Sequence, residues 1–176
     1  MPAPLLTGGP RWLSGLERGL AAGIGVATVL TGATLIFSLI IGVFYRYVLQ
    51  ASLSWTDEVA MLCFSWSVFL AAPILVRDNA HVRVEIIESL LPAPVFRVLD
   101  MLIWIAIAVT GGYMVWAGWA FMTLTFGQTS PAVRYPLWVR NLSLPVSGGL
   151  IAVYALLRLL ASARGDRPAD RTELAA

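Results

Sequence analysis

The chain has 176 residues, of which 59% are hydrophobic and only 12% charged, and its formal net charge is +2. A soluble domain carries about 25% charged residues, so an ordinary soluble domain is excluded, as is a disordered chain, which needs low hydrophobicity and high charge. All basic residues are arginines and no basic run has aromatics interleaved, which argues against nucleic acid; one cysteine, Cys63, and one histidine, His81, exclude an internal disulfide and a bis-histidine haem or His-rich metal site within one chain.

The first ten residues, rich in proline and glycine, are expected to be loose. After them, stretches without charge mark the membrane: 19–45, 59–76, 101–133 and 141–157. A bilayer core of about 30 Å needs about 20 apolar helical residues. With flanking residues such as Trp55 and Trp138, these stretches give helices over about 20–45, 55–76, 95–126 and 138–160. The first is too long for a signal-peptide core and lacks a clear cleavage site after it, so it reads as a retained helix. The fold class is therefore an all-α membrane protein with four transmembrane helices. Residues 1–176 form a single membrane domain with a polar tail at 161–176. Nine arginines fall on the side of both termini and the middle loop, against Arg46, Arg134 and Arg140 on the other. The positive-inside rule then puts both termini in the cytoplasm. Phe44, Tyr45, Tyr47, Trp55, Phe126, Tyr135 and Trp138 cluster at the opposite ends, as an outer interfacial belt would.

At the end of the first span stands Arg46, and the second opens with Ser54-Trp-Thr-Asp57-Glu58. Ser54 and Asp57 approximate a capping box, and negative charge suits a helix N-terminus. Arg46 has two outlets, an ion pair with Glu58 or snorkelling to lipid phosphate. Pro73 is expected to kink the second span. In the middle loop Val82, Ile86, Ile87, Leu90 and Leu91 share one helical face and His81, Glu85 and Glu88 the other, which suits a short interfacial helix ended by Pro92. The period-two pattern over 82–86 leaves a strand as the alternative. Small residues that permit close helix approach are Gly25, Thr28 and Gly32 on the first span, Gly111, Gly112 and Gly118 on the third, and Gly148 and Gly149 on the fourth. Trp66, Trp104, Trp116 and Trp119 read as lipid or helix contacts.

No span carries a charge near its middle, where ion and substrate paths are usually marked. No nucleophile–base set, phosphate loop or metal-ligand cluster is visible. The chain reads as a non-enzyme without a cofactor that packs on something with chemistry of its own. The competing class is a self-sufficient small oligomeric transporter or channel, for which Glu58, near a span end, is the only candidate carboxylate.

The order Arg46-Tyr-Val, Ser52-Leu-Ser-Trp55-Thr-Asp-Glu58, Trp66-Ser-Val-Phe-Leu70, His81-Val-Arg-Val-Glu85 and Leu91-Pro92 resembles the small membrane subunit of tripartite ATP-independent periplasmic (TRAP) transporters, as do Arg134-Tyr-Pro-Leu-Trp138 and Pro145. The resemblance runs from about residue 20 to residue 160. Ala71-Ala72 and Asn79-Ala80 depart from it, standing where glycine is usual. It implies a multi-pass protein of the bacterial inner membrane that scaffolds a large ion-coupled permease subunit. It also implies a share in docking a soluble periplasmic binding protein during organic-acid uptake. The residues expected to face that protein are Gln50, Asp57, Gln128, Arg134 and Arg140. For Arg134 and Arg140, lipid phosphate is the alternative ligand.

Overall fold

The computed structural model describes residues 11–77 and 93–163. The segment holding His81, Val82, Ile86, Ile87, Leu90 and Leu91 lies outside the described residues, as does most of the polar tail. The helices in chain order are α1 (Arg11–Tyr47), α2 (Ser54–Arg77), α3 (Ala93–Leu124), α4 (Leu137–Asn141) and α5 (Ser143–Ala163). Four stretches are long and apolar enough to cross a membrane: Gly19–Tyr47, Ser54–Arg77, Val98–Leu124 and Leu137–Leu160, the last running through α4 and α5. The four expected transmembrane helices are thus present.

The break between α4 and α5 follows from Pro145. Proline has no N–H to bond the carbonyl of Asn141 and its ring crowds that carbonyl. Leu142 alone separates the two helices; its backbone stays right-handed (φ −61°, ψ −24°), its N–H bonds Trp138 O at 2.8 Å, and the Ser143 hydroxyl donates to Arg140 O at 2.7 Å. Pro73 also lies inside a helix, yet α2 continues through it to Arg77, with the ring fully buried.

The spans stand in a row in the order α1, α2, α5, α3. Each seam has its own chemistry. Between α3 and α5, glycine brings the backbones together. A Cβ on Gly111 would sit 2.8 Å from Gly148 O and Ala152 N, and one on Gly118 would sit 2.7 Å from the Pro145 ring. Gly148 meets Gly111 O at the same closeness from the other side. Small residues permit such approach because lipid tails give helices no hydrophobic reason to associate, leaving close packing as the attraction. On α1, Gly25 and Gly32 face open space, so those expected packing residues do not contact a neighbour. The approach of α1 to α2 occurs instead at Gly42, whose Cβ would lie 2.9 Å from Thr56 Oγ1. Beside it the buried Ser38 hydroxyl donates to Thr56 O at 2.8 Å.

Polar bonds stitch the α2 side of the row to the later helices. Midway, Trp66 Nε1 donates to Val139 O at 3.1 Å. At the Arg77 end of α2, Arg158 Nη2 donates to Arg77 O at 3.0 Å, and its guanidinium lies 5.7 Å from the centre of the buried Trp104 ring. The apolar core lies beside that end, where Val76 of α2, Trp104 of α3 and Ile151, Tyr154 and Ala155 of α5 meet.

Candidate functional site

All the expected docking residues gather at one end of the row, on the α1–α2 turn, the start of α2, and the segment from α3 to α4. The α1–α2 turn is reversed by Gln50, which adopts a left-handed conformation (φ 51°), while Ala51 N–H returns to Tyr45 O at 3.0 Å. The Gln50 side chain donates to Tyr47 O at 3.2 Å.

Between α3 and α4 the chain forms a short tongue. Gly127 turns the backbone at φ 83°, a conformation glycine takes without steric cost. Thr129 and Pro136 then bridge in antiparallel fashion, Ser130 N–H donates to Tyr135 O at 2.9 Å, and Leu137 N–H donates to Gln128 O at 3.0 Å. Pro131 supplies the fixed φ that begins the turn. The turn closes on Arg134 in the left-handed region (φ 60°), uncommon for a residue with a Cβ. Both Gln128 and Arg134 are exposed. At the base of the tongue the Phe126 and Trp138 rings stack 6.4 Å apart, and the buried Asn141 amide donates to Thr125 Oγ1 at 2.9 Å.

What holds the tongue down is Glu58. Its carboxylate accepts three hydrogen bonds: from Ser130 Oγ at 2.7 Å, Ala132 N–H at 2.7 Å and Val133 N–H at 2.8 Å. Two successive backbone N–H groups and a hydroxyl form a small anion cradle, filled by a side chain from the neighbouring helix.

The expected Arg46–Glu58 pair is therefore corrected. Arg46 Nη2 bonds Asp57 Oδ2 at 3.0 Å, with both side chains about half exposed. The reason is helical phase. Asp57 faces α1 while Glu58, one position on, faces the tongue. Ser54 is the first residue of α2, and Asp57 serves the arginine at the end of α1. The structure thus brings together Arg46 with Asp57, and Glu58 with the tongue that carries Gln128 and Arg134. Arg140, part-buried on α4, offers its carbonyl to Ser143. Ser130, Trp66 and Asn141 were not singled out as polar anchors by sequence reasoning. The Ser130-Pro131 pair is a turn signal that would have flagged the first. Among the described residues no cluster of His, Cys, Asp and Glu has the makings of a metal site.

This end offers the exposed Arg134 on a fixed turn, with the exposed Gln128 on the same tongue and the stacked Phe126 and Trp138 rings at its base.

Residues 35–165 match the family described as tripartite ATP-independent periplasmic transporters, DctQ component. The chain is similar to the isethionate TRAP transporter permease protein DctMQ of Oleidesulfovibrio alaskensis, at 31% identity over 144 residues, covering 77% of this chain and 23% of that protein. It is also similar to the C4-dicarboxylate TRAP transporter small permease protein DctQ of Rhodobacter capsulatus, at 28% over 102 residues, covering 57% of this chain and 45% of that one. A putative TRAP transporter small permease protein of Haemophilus influenzae is 21% identical over 122 residues, covering 69% of this chain and 76% of its own length. The chain spans less than a quarter of the first of these relatives and about half of the second.

Proposed function

We propose a role for this chain that follows from its family, the DctQ component of the tripartite ATP-independent periplasmic transporters, to which it belongs. As a member it is a small permease subunit, a multi-pass protein of the inner membrane. The proposal is that it scaffolds a large ion-coupled permease subunit and offers part of the docking surface for a periplasmic binding protein. It performs no catalytic step itself. The cargo is an organic acid anion, the class to which the isethionate and C4-dicarboxylate in two relatives' names belong. The orientation that goes with this reading puts both termini in the cytoplasm and the tongue outside.

The observation that carries the reading is the division of labour along the row. The membrane-crossing lengths carry no charge near their middles, while polar residues with fixed geometry gather at one end. A frame needs apolar area and anchorage; a docking surface needs rigid, exposed donors. Arginine suits the second task because its planar fork donates two hydrogen bonds to one carboxylate.

Reconstitution tests both halves. In liposomes the chain alone is expected to move no organic acid under any ion gradient, and uptake to need the large subunit and the binding protein. Robust uptake by this chain alone would favour a self-sufficient transporter. In the complete system Arg134→Glu is expected to weaken uptake at low binding-protein concentration and to recover as more is added. The defect should shrink as salt rises, since exposed charges are screened over about 8 Å at physiological ionic strength. Normal uptake across the whole titration removes Arg134 from the docking surface, and a defect that excess binding protein does not rescue assigns it to lipid anchoring.

A further inference from the structure

The tip of the tongue is shaped by a group that does not belong to it. Its neck is closed by the bond from Ser130 N–H to Tyr135 O at 2.9 Å. Between these two lie residues 131–134, of which Pro131 has no N–H to give. Ala132 and Val133 donate theirs to Glu58 of α2 at 2.7 and 2.8 Å, and the Ser130 hydroxyl joins them at 2.7 Å. Successive N–H groups converge where the backbone coils into a turn, and a carboxylate seated there favours that turn.

Arg134 follows directly, with φ 60°. A left-handed conformation crowds Cβ against the next carbonyl, and few residues other than glycine, asparagine and aspartate visit it. It persists only where the surroundings over-determine it. Here the surroundings are the neck on one side and the carboxylate in its cradle on the other. Ser130 is buried and Arg134 exposed, so the clamp grips the tongue from within and leaves Arg134 accessible.

We propose that Glu58 is a positioning residue for docking: by filling the cradle of Ser130, Ala132 and Val133 it fixes the backbone from which Arg134 reaches the binding protein. This rests on the reading of Arg134 as part of the docking surface. It also separates Glu58 from its neighbour Asp57, which bonds the Arg46 side chain. A positioning residue has its own signature. It weakens docking by no more than loss of the contact it positions, and it has no effect once that contact is gone.

The test uses the reconstituted transporter with its large subunit, and uptake is measured across a titration of binding protein. Arg134→Ala is expected to raise the half-saturating concentration of binding protein by up to about 5-fold, the equivalent of about 1 kcal/mol for an exposed charge pair. Glu58→Gln keeps the shape of the side chain and gives up its charge and one acceptor oxygen. It is expected to raise the half-saturating concentration by no more than Arg134→Ala does, with maximal uptake unchanged. In the Arg134→Ala background Glu58→Gln should add nothing. Ser130→Ala, which removes one of the three bonds and leaves the carboxylate, should give a smaller shift that also disappears in that background. If Glu58→Gln does not assemble, Ser130→Ala alone decides. A fall in maximal uptake at an unchanged half-saturating concentration, a Glu58→Gln effect that persists without Arg134, or wild-type titrations for both Glu58→Gln and Ser130→Ala would each overturn the positioning role and leave the docking reading standing. A wild-type titration for Arg134→Ala would take down that reading, and this inference with it.

Discussion

Asp57 and Glu58 are adjacent, and about 100° of helical rotation separates their tasks. Asp57 takes Arg46 in a half-exposed pair, which is worth about 0.2–1 kcal/mol in water. Glu58 holds three donors of the tongue at once. Removing it leaves two backbone N–H groups and a hydroxyl without their acceptor. Glu58→Ala is therefore expected to lower the thermal stability of the purified chain more than Arg46→Ala or Asp57→Ala does, and to expose the 128–136 tongue to protease. In double-mutant cycles Arg46 should couple to Asp57 and not to Glu58; the reverse pattern would sink this assignment. That a carboxylate at the start of α2 is structurally engaged was legible in the sequence. Which carboxylate takes the arginine was not. The competing donors are mostly backbone N–H groups of residues some seventy positions on, and a backbone N–H leaves no mark on the residue type.

Neighbouring glycines on α3 show the same contrast at the scale of the element. A Cβ at Gly111 would press on backbone atoms of α5, which have little room to yield, whereas one at Gly112 would meet nothing. Gly111→Ala is expected to destabilise the isolated chain by about 1–3 kcal/mol, the usual range for overpacking. Gly112→Ala should be neutral or stabilising by up to about 1 kcal/mol, the helix-propensity difference. Equilibrium unfolding in mixed detergent micelles checks both, and equal effects would contradict the α3–α5 contact. The spans themselves were readable because avoiding charge is a one-dimensional signal along the chain. Seams are not one-dimensional. Gly25 and Gly32 look like Gly111 and Gly118 in sequence, and only the three-dimensional row reveals which pair faces a neighbour.

The whole molecule has a direction that labelling can read. If the arginine bias sets orientation as proposed, cysteines introduced at positions 51 and 128 react with an impermeant reagent from outside, and one at position 89 does not. The native Cys63 is buried and gives little background. Reversed labelling would overturn the orientation and the docking role together. The order of the row also sets a schedule for biosynthesis. The α1–α2 seam joins consecutive spans and can close as soon as both have left the ribosome, and the α3–α5 pair likewise forms a local hairpin. The stitches between these halves, Glu58 to the tongue, Trp66 to Val139 and Arg158 to Arg77, all join partners more than seventy positions apart. No part of that central seam can exist until the tongue, and then the last span, has been synthesised. During the interval the exposed flank of α2 is bare, and a nascent chain stalled or truncated there would present it to insertases and quality-control proteases as an unfinished surface.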